Sequence, residues 1–337
     1  MTTTFDIDSG SVTGIGGLPH RNAADAARFS LRHMDIPAVP TLPRRSPAEG
    51  AVAQAMVGLQ GITVGQYGSI AVDVQQLDPL APIVTDLRQD AYLGFRTFLS
   101  LAPEVRPDVR AVKWQFIGPV TFGLALVRAG VSTTEAFELA VRVVRTRLQH
   151  LHDEVAVALP DARQLVFIEE PALADLMDPG FPIAPDVAID LVSGALAAAE
   201  THAMAGLHVC GVADVPSQLA AGPGIVSMPV HPDIVQAAGY LVTYMERGGR
   251  IAWGAVSTTG PVATSADRPW RELSAVWCQL VERGVDPVLL RRQAVITPEC
   301  GLASHTPSVA ERVFRLASEV GGRVRDQASA SRWTLGA

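Results

Sequence analysis

The sequence predicts an α/β fold, a single (β/α)8 TIM barrel that takes in the whole chain as one domain, residues 1–337. Eight short apolar runs rich in Val and Ile alternate with longer segments of helical periodicity. Each run is almost continuously apolar, which is typical of parallel strands buried on both faces. About 250 residues suffice for eight such units, so the surplus fits in long connections. A doubly wound open sheet is the alternative, because a count of strands does not show closure.

The elements follow in a regular order along the chain. The predicted strands are residues 12–16, 38–42, 112–117, 165–169, 206–210, 225–230, 250–255 and 294–298. Helical patterns run near residues 23–34, 86–102, 186–202, 233–247, 270–283 and 307–325. Capping boxes predict two more helices, one beginning at Ser46 and one beginning at Ser132 and reaching about residue 158. Residues 60–82, between strands two and three, are interpreted as an irregular insertion.

The composition argues against several classes of protein. With 48% hydrophobic and 18% charged residues, the chain is too apolar for a disordered protein. A net charge of −7 argues against a nucleic-acid partner, because phosphate binding needs clustered Lys and Arg. No apolar run approaches the ~18 residues of a membrane span. The first residues do not resemble a signal peptide, and the three cysteines do not suggest a framework of paired disulfides. We therefore expect a cytoplasmic protein without membrane or nucleic-acid partners.

Residues capable of chemistry lie where the predicted strands end. Because barrel active sites lie at these strand ends, we expect the side chains to meet at one mouth. They are His20, Glu169, Glu170, His208, Cys210, His231 and Cys300. Lys113 is the only lysine and hence the single candidate for an imine, but nothing beside it supports that role. We expect Lys113 to be a packed or surface residue.

Two cysteines and a histidine suggest a metal site. His208 and Cys210 stand two positions apart at the end of the fifth predicted strand, so both side chains lie on the same face. Cys300, after the last predicted strand, would add a second thiolate. This set suits Zn²⁺ with a fourth position open to an exogenous ligand. The alternative is that both cysteines are ordinary small buried residues. Cys278, inside a helical pattern, is expected in the core.

Five short motifs occur in the order and rough spacing of one protein family. They are Gly14-Ile15-Gly16-Gly17-Leu18-Pro19, Gly118-Pro119-Val120-Thr121, Phe167-Ile168-Glu169-Glu170-Pro171-Ala172-Leu173, His208-Val209-Cys210-Gly211 and Pro298-Glu299-Cys300-Gly301-Leu302. Together they resemble the catalytic domain of cobalamin-independent methionine synthase, over about residues 10–325. That family belongs to a superfamily with uroporphyrinogen decarboxylase, and the resemblance implies a (β/α)8 barrel.

The resemblance also implies a zinc site. The family binds zinc through a His-x-Cys pair, a later Glu and a Cys, and His208, Cys210 and Cys300 match three of these ligands. The Glu has no counterpart in this chain. His231 is the nearest residue that could replace this Glu as the fourth zinc ligand, and the alternative is that substrate or water is the fourth ligand. The alternative interpretation of His231 itself is an exposed loop residue.

The same resemblance implies catalytic and substrate-binding residues. Glu169 and Glu170 are the predicted catalytic residues, and Glu169 stands where the family has an Asp that binds the amino group of homocysteine. The alternative for Glu169 is a buried carboxylate paired with an arginine. Ile15, Gly16 and Gly17 match a segment whose backbone amides hold the amino-acid carboxylate, and glycine permits that close approach. We therefore expect these three residues and Glu169 to bind the substrate.

Several departures from the family bear on the methyl donor. Thr259 stands near the position of a histidine assigned to acid–base chemistry, and Ala125 near that of a tryptophan that stacks on folate. The family's His-Gly-Glu motif has no counterpart between strands two and three, and we expect no N-terminal barrel. The sequence therefore predicts a zinc-dependent methyltransferase that activates a homocysteine-like thiol, with a methylcorrinoid protein, or a methylfolate bound differently, as the donor. The alternatives are decarboxylation or sulfur transfer at the same site, and a non-catalytic zinc-binding or regulatory protein.

Overall fold

The computed structural model describes residues 7–65 and 69–335. Nine strands occur in these residues: Ser11–Val12 (β1), Ile62–Val64 (β2), Ile70–Val72 (β3), Ala111–Ile117 (β4), Arg163–Glu169 (β5), Met204–His208 (β6), Ile225–Pro229 (β7), Arg250–Val256 (β8) and Ala294–Pro298 (β9). Seven of them form one parallel sheet in the order β1-β9-β8-β7-β6-β5-β4, which curls into a half-barrel. The other two, β2 and β3, form a separate antiparallel hairpin.

Helices connect the strands of the parallel sheet. The described residues form α-helices at Ala23–His33 (α1), Ala51–Met56 (α2), Leu93–Val105 (α3), Pro119–Arg128 (α4), Thr133–Ala158 (α5), Pro185–Glu200 (α6), Val215–Ala220 (α7), Ala238–Glu246 (α8), Asp267–Glu282 (α9), Pro287–Arg292 (α10) and Pro307–Leu335 (α11). Short 3-10 helices occupy Pro47–Glu49, Asp90–Tyr92, Pro171–Asp175 and Pro232–Ala237. From β4 onward every strand of the sheet is followed by at least one helix, as the sequence predicts.

The two predicted capping boxes have different outcomes. The Ser132 hydroxyl accepts a hydrogen bond from the Glu135 amide (3.4 Å) and donates one to its carboxylate (2.6 Å), so this box begins α5 as predicted. The prediction at Ser46 is wrong, because this serine makes no side-chain cap. Glu49 turns inward instead and accepts hydrogen bonds from Arg45 (2.7 Å) and the Leu42 amide (3.0 Å). A 3-10 turn followed by α2 therefore replaces the single helix.

The predicted second strand is present only as isolated bridges. The bridges are parallel and pair Ile36 with Thr13, Thr41 with Gly17 and Ala38 with Lys113. Pro37 and Pro40 lie in this segment, and proline has no amide hydrogen to donate to a regular ladder. The prediction of a closed eight-stranded barrel is therefore confirmed only as a parallel α/β sheet of seven regular strands curled into a half-barrel.

The inner face of the sheet changes from apolar to polar along the strands. The apolar cluster at this face combines strand residues with two residues from outside the strands, and its members are Ile7, Ile36, Leu165, Phe167, Ile225, Ala252 and Val295. Gly206 makes room for the Phe167 ring, because a Cβ at position 206 would lie 2.4 Å from it. Two residues further along β5, β7 and β9, on the same face, stand Glu169, Ser227 and Thr297. The polar layer thus lies toward the carboxyl ends of the strands.

Two predictions about connections need correction. The insertion at residues 60–82 is not wholly irregular, because it contains the β2–β3 hairpin, although residues 66–68 lie outside the described part. The sequence patterns also miss α4, α7 and α10, of which the last two have only six residues each. Among the described helices, none combines the length and apolar character that a membrane crossing requires.

Candidate metal centre

His208 is the most buried of three potential metal ligands at the carboxyl end of the sheet. It ends β6 and is only 1% exposed. Alternate residues of a strand share a face, so His208 points into the half-barrel together with Gly206 and Met204. Its Nδ1 atom lies 2.9 Å from the Ser227 hydroxyl on β7, and its Nε2 atom lies 3.1 Å from the Cys210 sulfur. The contact with Ser227 leaves Nε2 directed toward the sulfur.

Cys210 and Cys300 complete the group from two non-adjacent strands. Cys210 lies two residues beyond β6, beside a turn at Gly211 (φ 105°), and Cys300 lies two residues beyond β9. In the sheet, β7 and β8 separate these strands. The two Cα atoms are 5.7 Å apart, and the two sulfurs are joined in a disulfide. Both cysteines are partly exposed, so small solutes reach this end of the sheet.

The three residues fit a transition-metal ion in their chemistry and in their distances. One nitrogen of His208 and the sulfurs of Cys210 and Cys300 all lie within 4.8 Å of one another. Two sulfurs on one Zn²⁺ are at most about 4.6 Å apart, so small side-chain rotations bring the ligands into range once the disulfide is reduced. No fourth His, Cys, Asp or Glu joins the group within residues 7–65 and 69–335. The chain thus has a possible metal site, and the residues do not single out one metal.

His231 does not belong to this group. It precedes the 3-10 helix Pro232–Ala237, and its Nδ1 atom accepts a hydrogen bond from the Asp233 amide (3.3 Å). The Asp233 carboxylate lies 3.3 Å from the same nitrogen. The geometry agrees with the alternative interpretation, a partly exposed loop histidine.

The imidazole of His208 is kept neutral. Burial, together with the positive charge of Lys113, lowers the pKa of His208 to about 3. Neutral imidazole is the form that binds metal ions. The Nδ1 atom lies 2.9 Å from the Ser227 hydroxyl, and in the tautomer that carries its proton on Nδ1 the Nε2 atom is free to coordinate. Ser227 therefore acts as an orienting partner of the kind that metal-binding histidines ordinarily have.

Lys113 lies in the interior of the half-barrel below this group. Its Nζ atom donates hydrogen bonds to the Ile15 carbonyl (2.6 Å) and to Oε1 of Gln115 (2.8 Å), and it lies 4.8 Å from the centre of the Phe167 ring. Burial lowers the pKa of Lys113, and the nearby carboxylate of Glu169 opposes this effect. The lysine is wholly buried, which confirms the expectation of a packed residue and leaves it inaccessible to a carbonyl substrate.

Glu169 lies beside the metal-ligand group. It ends β5, and in the pairing of β5 with β6 it stands opposite His208. Burial raises the pKa of Glu169, and the charge of Lys113 opposes the rise. Among the ion pairs of the described residues, none joins Glu169 to an arginine, and the residue is partly exposed. Its predicted roles in substrate binding and in catalysis both stay predictions.

The predicted substrate-binding loop contacts the loop that carries Cys300. Gly16 has a φ of 127°, a conformation that residues with a side chain rarely adopt, and a Cβ there would lie 2.0 Å from Nε2 of the Gln115 side chain. The Gly17 carbonyl accepts a hydrogen bond from the Leu302 amide (2.7 Å). Residues 14–18 line one narrow cavity together with Cys300. Substrate binding by Ile15, Gly16 and Gly17 stays a prediction.

Glu170 holds the start of a helix. It is wholly buried, and its carboxylate accepts hydrogen bonds from the amides of Val120 (2.8 Å) and Thr121 (2.7 Å) and from the Thr121 hydroxyl (2.6 Å). These donors form the first turn of α4, where a negative charge is favourable. Gly118 gives the carboxylate room, since a Cβ there would lie 2.2 Å from it. These contacts give Glu170 a structural role, and they do not support its predicted catalytic role.

Other residues singled out in the sequence lie outside the group. His20 packs on Phe29, with ring centres 5.0 Å apart. Thr259 contacts the Ser257 hydroxyl (3.1 Å) in an exposed loop. The prediction that Cys278 lies in the core is wrong, because it occupies the exposed side of α9.

Three residues that contribute to the site belong to no motif recognised in the sequence. Ser227 orients His208, and Gln115 joins Lys113 to the glycine loop. Thr297 is wholly buried, and within the described residues its hydroxyl has no hydrogen-bond partner. Ser227 and Thr297 each lie two positions after an apolar residue on a predicted inner face. This spacing is the sequence signal that predicts a polar side chain at the site.

A comparison of the whole chain with models of known protein families and with curated proteins finds no match.

Proposed function

We propose that this protein is a zinc-dependent enzyme that activates a thiol substrate for methyl transfer. The observation that carries the proposal is the convergence of His208, Cys210 and Cys300 at the carboxyl ends of β6 and β9. Parallel α/β folds place their active sites at this end of the strands. In the proposal, the irregular segment 36–41 closes the sheet as the eighth strand, and the bridges on both sides of this segment support that closure.

Each site residue has a role in this proposal. Reduced Cys210 and Cys300 and the Nε2 atom of His208 would hold Zn²⁺, leaving a position for the sulfur of the substrate. The ion supplies Lewis acidity, which lets a thiol lose its proton near neutral pH and remain a nucleophile. Glu169 would accept hydrogen bonds from the amino group of the substrate, and the amides of Gly16 and Gly17 would hold its carboxylate.

The proposed donor is a methylcorrinoid protein. A folate ring needs an aromatic surface on which to stack, and Ala125 stands near the place where the family that the sequence resembles has a tryptophan. Two aromatic residues nearby in sequence do not replace it, because Phe122 is wholly buried and Trp114 is 1% exposed. A large donor docked over the strand ends does not need such a surface.

One observation favours the second candidate, zinc binding without catalysis. The cavity that Cys300 shares with residues 14–18 is narrow, and an amino acid enters it only if these loops move apart. A regulatory or structural zinc site would not need that space. The two candidates differ in turnover and share the prediction of metal binding.

Metal loading followed by a turnover assay tests the proposal. The reduced protein is expected to bind one Zn²⁺ per chain and to form methionine from homocysteine with methylcobalamin as the donor, and Cys300→Ser is expected to lose both properties. Cys278→Ser is the matched control and should keep both. Zinc binding without turnover from either methylcobalamin or methyltetrahydrofolate would favour the second candidate. A reduced protein that binds no zinc would contradict both.

A further inference from the structure

We propose that Cys210 and Cys300 form a reversible oxidation switch that controls whether the site can hold a metal. This inference rests on the metal site of the proposed function and adds the regulation of that site. The structure contains the oxidised form, in which the two sulfurs are bonded to each other. The same sulfurs, as thiolates, are two of the three potential metal ligands.

The two states exclude each other for a chemical reason. Cysteine binds a metal as the thiolate, and a sulfur that shares its electron pair in a disulfide no longer offers that charge. With the disulfide closed, His208 is the one ligand of the group that remains, and a single imidazole is a weak site. Closing the disulfide therefore releases the metal, and a bound metal protects the sulfurs from closing.

The fold lets the sulfurs exchange partners without rearranging the sheet. The Cα atoms of Cys210 and Cys300 are 5.7 Å apart, which lies within the range of disulfide-bonded cysteines. The same spacing lets two thiolates reach one ion, since their ligand atoms and that of His208 lie within 4.8 Å of one another. Each cysteine stands two residues beyond the end of a strand, so rotation of side chains in the two loops is sufficient.

The pair is also accessible to a small oxidant. Cys210 and Cys300 are both partly exposed at the opening of the half-barrel. The third cysteine, Cys278, is exposed on α9 and unpaired. It therefore reports how strongly a given treatment oxidises an ordinary surface thiol of this chain.

Hydrogen peroxide oxidises the two thiolates to the disulfide in two steps. One thiolate attacks an oxygen of hydrogen peroxide, the O–O bond breaks, and a sulfenic acid and a hydroxide form. The second thiolate attacks that sulfur, the S–O bond breaks, and the disulfide and a second hydroxide form. Two electrons pass from the sulfurs to the peroxide, and two protons from solvent convert the hydroxides to water. A dithiol reductant reverses the change by thiol–disulfide exchange and is itself oxidised to a disulfide.

Cobalt release from the reduced protein tests this inference. Cys278→Ser, whose only cysteines are Cys210 and Cys300, is reduced, loaded with Co²⁺ and titrated with hydrogen peroxide. Bound Co²⁺, free thiols and the Cys210–Cys300 peptide are followed by absorbance, thiol titration and mass spectrometry. We expect two thiols and one bound Co²⁺ to disappear per chain in step, and dithiothreitol to restore both. The unaltered chain shows whether Cys278 reacts at lower or higher peroxide.

The outcomes separate this inference from the proposed function. If the metal is retained while the two thiols are lost, the switch is overturned and the metal site stands. The same holds if the metal is lost and the product is a linkage between chains or a sulfinic acid. Reduced protein that binds no Co²⁺ would overturn the proposed metal site and the switch together. In Cys300→Ser, the remaining cysteine besides Cys210 is Cys278 on α9, outside the metal-ligand group, so peroxide should produce no internal disulfide. Dithiothreitol-reversible internal linkage in that variant would contradict the assignment of the pair.

Discussion

Replacing Glu170 tests the assignment of this residue to the start of α4. Glu170→Ala removes the acceptor for two backbone amides and one hydroxyl, all of them buried. Each unsatisfied donor costs about 1–3 kcal/mol, so the three donors together would cost about 3–9 kcal/mol. Water entry and rotation of the Thr121 hydroxyl reduce the total, so we expect a loss of about 3–5 kcal/mol in the free energy of unfolding. Glu170→Gln keeps one acceptor oxygen and should lose about 1–3 kcal/mol.

Thermal unfolding at pH 8, followed by circular dichroism, measures this effect. An unfolding entropy of ~2.1 cal/mol/K per residue gives about 0.7 kcal/mol/K for the chain, so Glu170→Ala should lower Tm by about 4–7 °C. Glu104→Ala is the control, because Glu104 is exposed and such changes are usually within about 0.5 kcal/mol. A Glu170→Ala protein that unfolds within 1 °C of the unaltered chain would refute the assignment.

Three further predictions concern the site and its surroundings. Gly16→Ala should lose at least about 2 kcal/mol of unfolding free energy, because it combines a φ of 127° with a Cβ 2.0 Å from Gln115. The control Gly194→Ala, on open helix surface, should gain about 0.4–1 kcal/mol. Equal effects of the two substitutions on the free energy of unfolding would contradict the structure of the glycine loop. Glu169→Gln should weaken homocysteine binding, measured by calorimetry, while zinc stoichiometry stays unchanged; loss of zinc would make the residue structural. Burial raises the pKa of Glu170 to about 7, above its value in the unfolded chain, so the folded state binds this proton more tightly. Stability of the unaltered chain relative to Glu170→Gln should therefore fall as pH rises from about 4.5 to about 7, and parallel stability curves would contradict the shift.

The strand pattern was predictable because burial on both faces produces continuous apolar runs. For example, β9 is predicted at the bounds it has, and β4, β5 and β7 differ from their predicted bounds by at most two residues. The second strand was harder to predict, since an apolar run signals burial and does not show that Pro37 and Pro40 break its ladder. Closure of the sheet depends on contacts distant in sequence, which periodicity does not contain.

The candidate site was partly predictable for the same reason. His208 and Cys210 share a face because they are two positions apart on or beside one strand, and Cys300 follows another strand, so their convergence follows from a parallel sheet. The role of Glu170 was not predictable, because adjacent residues point to opposite faces and the sequence does not say which acidic side chain meets α4. The disulfide was not predicted either, since a cysteine pair suits a metal and a covalent bond equally well.

We propose that reduced Cys210, Cys300 and His208 bind one metal ion and leave room for a thiol. X-ray absorption at the zinc edge of the reduced, zinc-loaded Cys278→Ser protein tests it directly. We expect two sulfur ligands at ~2.3 Å and one histidine nitrogen at ~2.0–2.1 Å, and a third sulfur when homocysteine is added. Zinc bound by oxygen and nitrogen ligands without sulfur, or a ligand set that does not change with homocysteine, would contradict it.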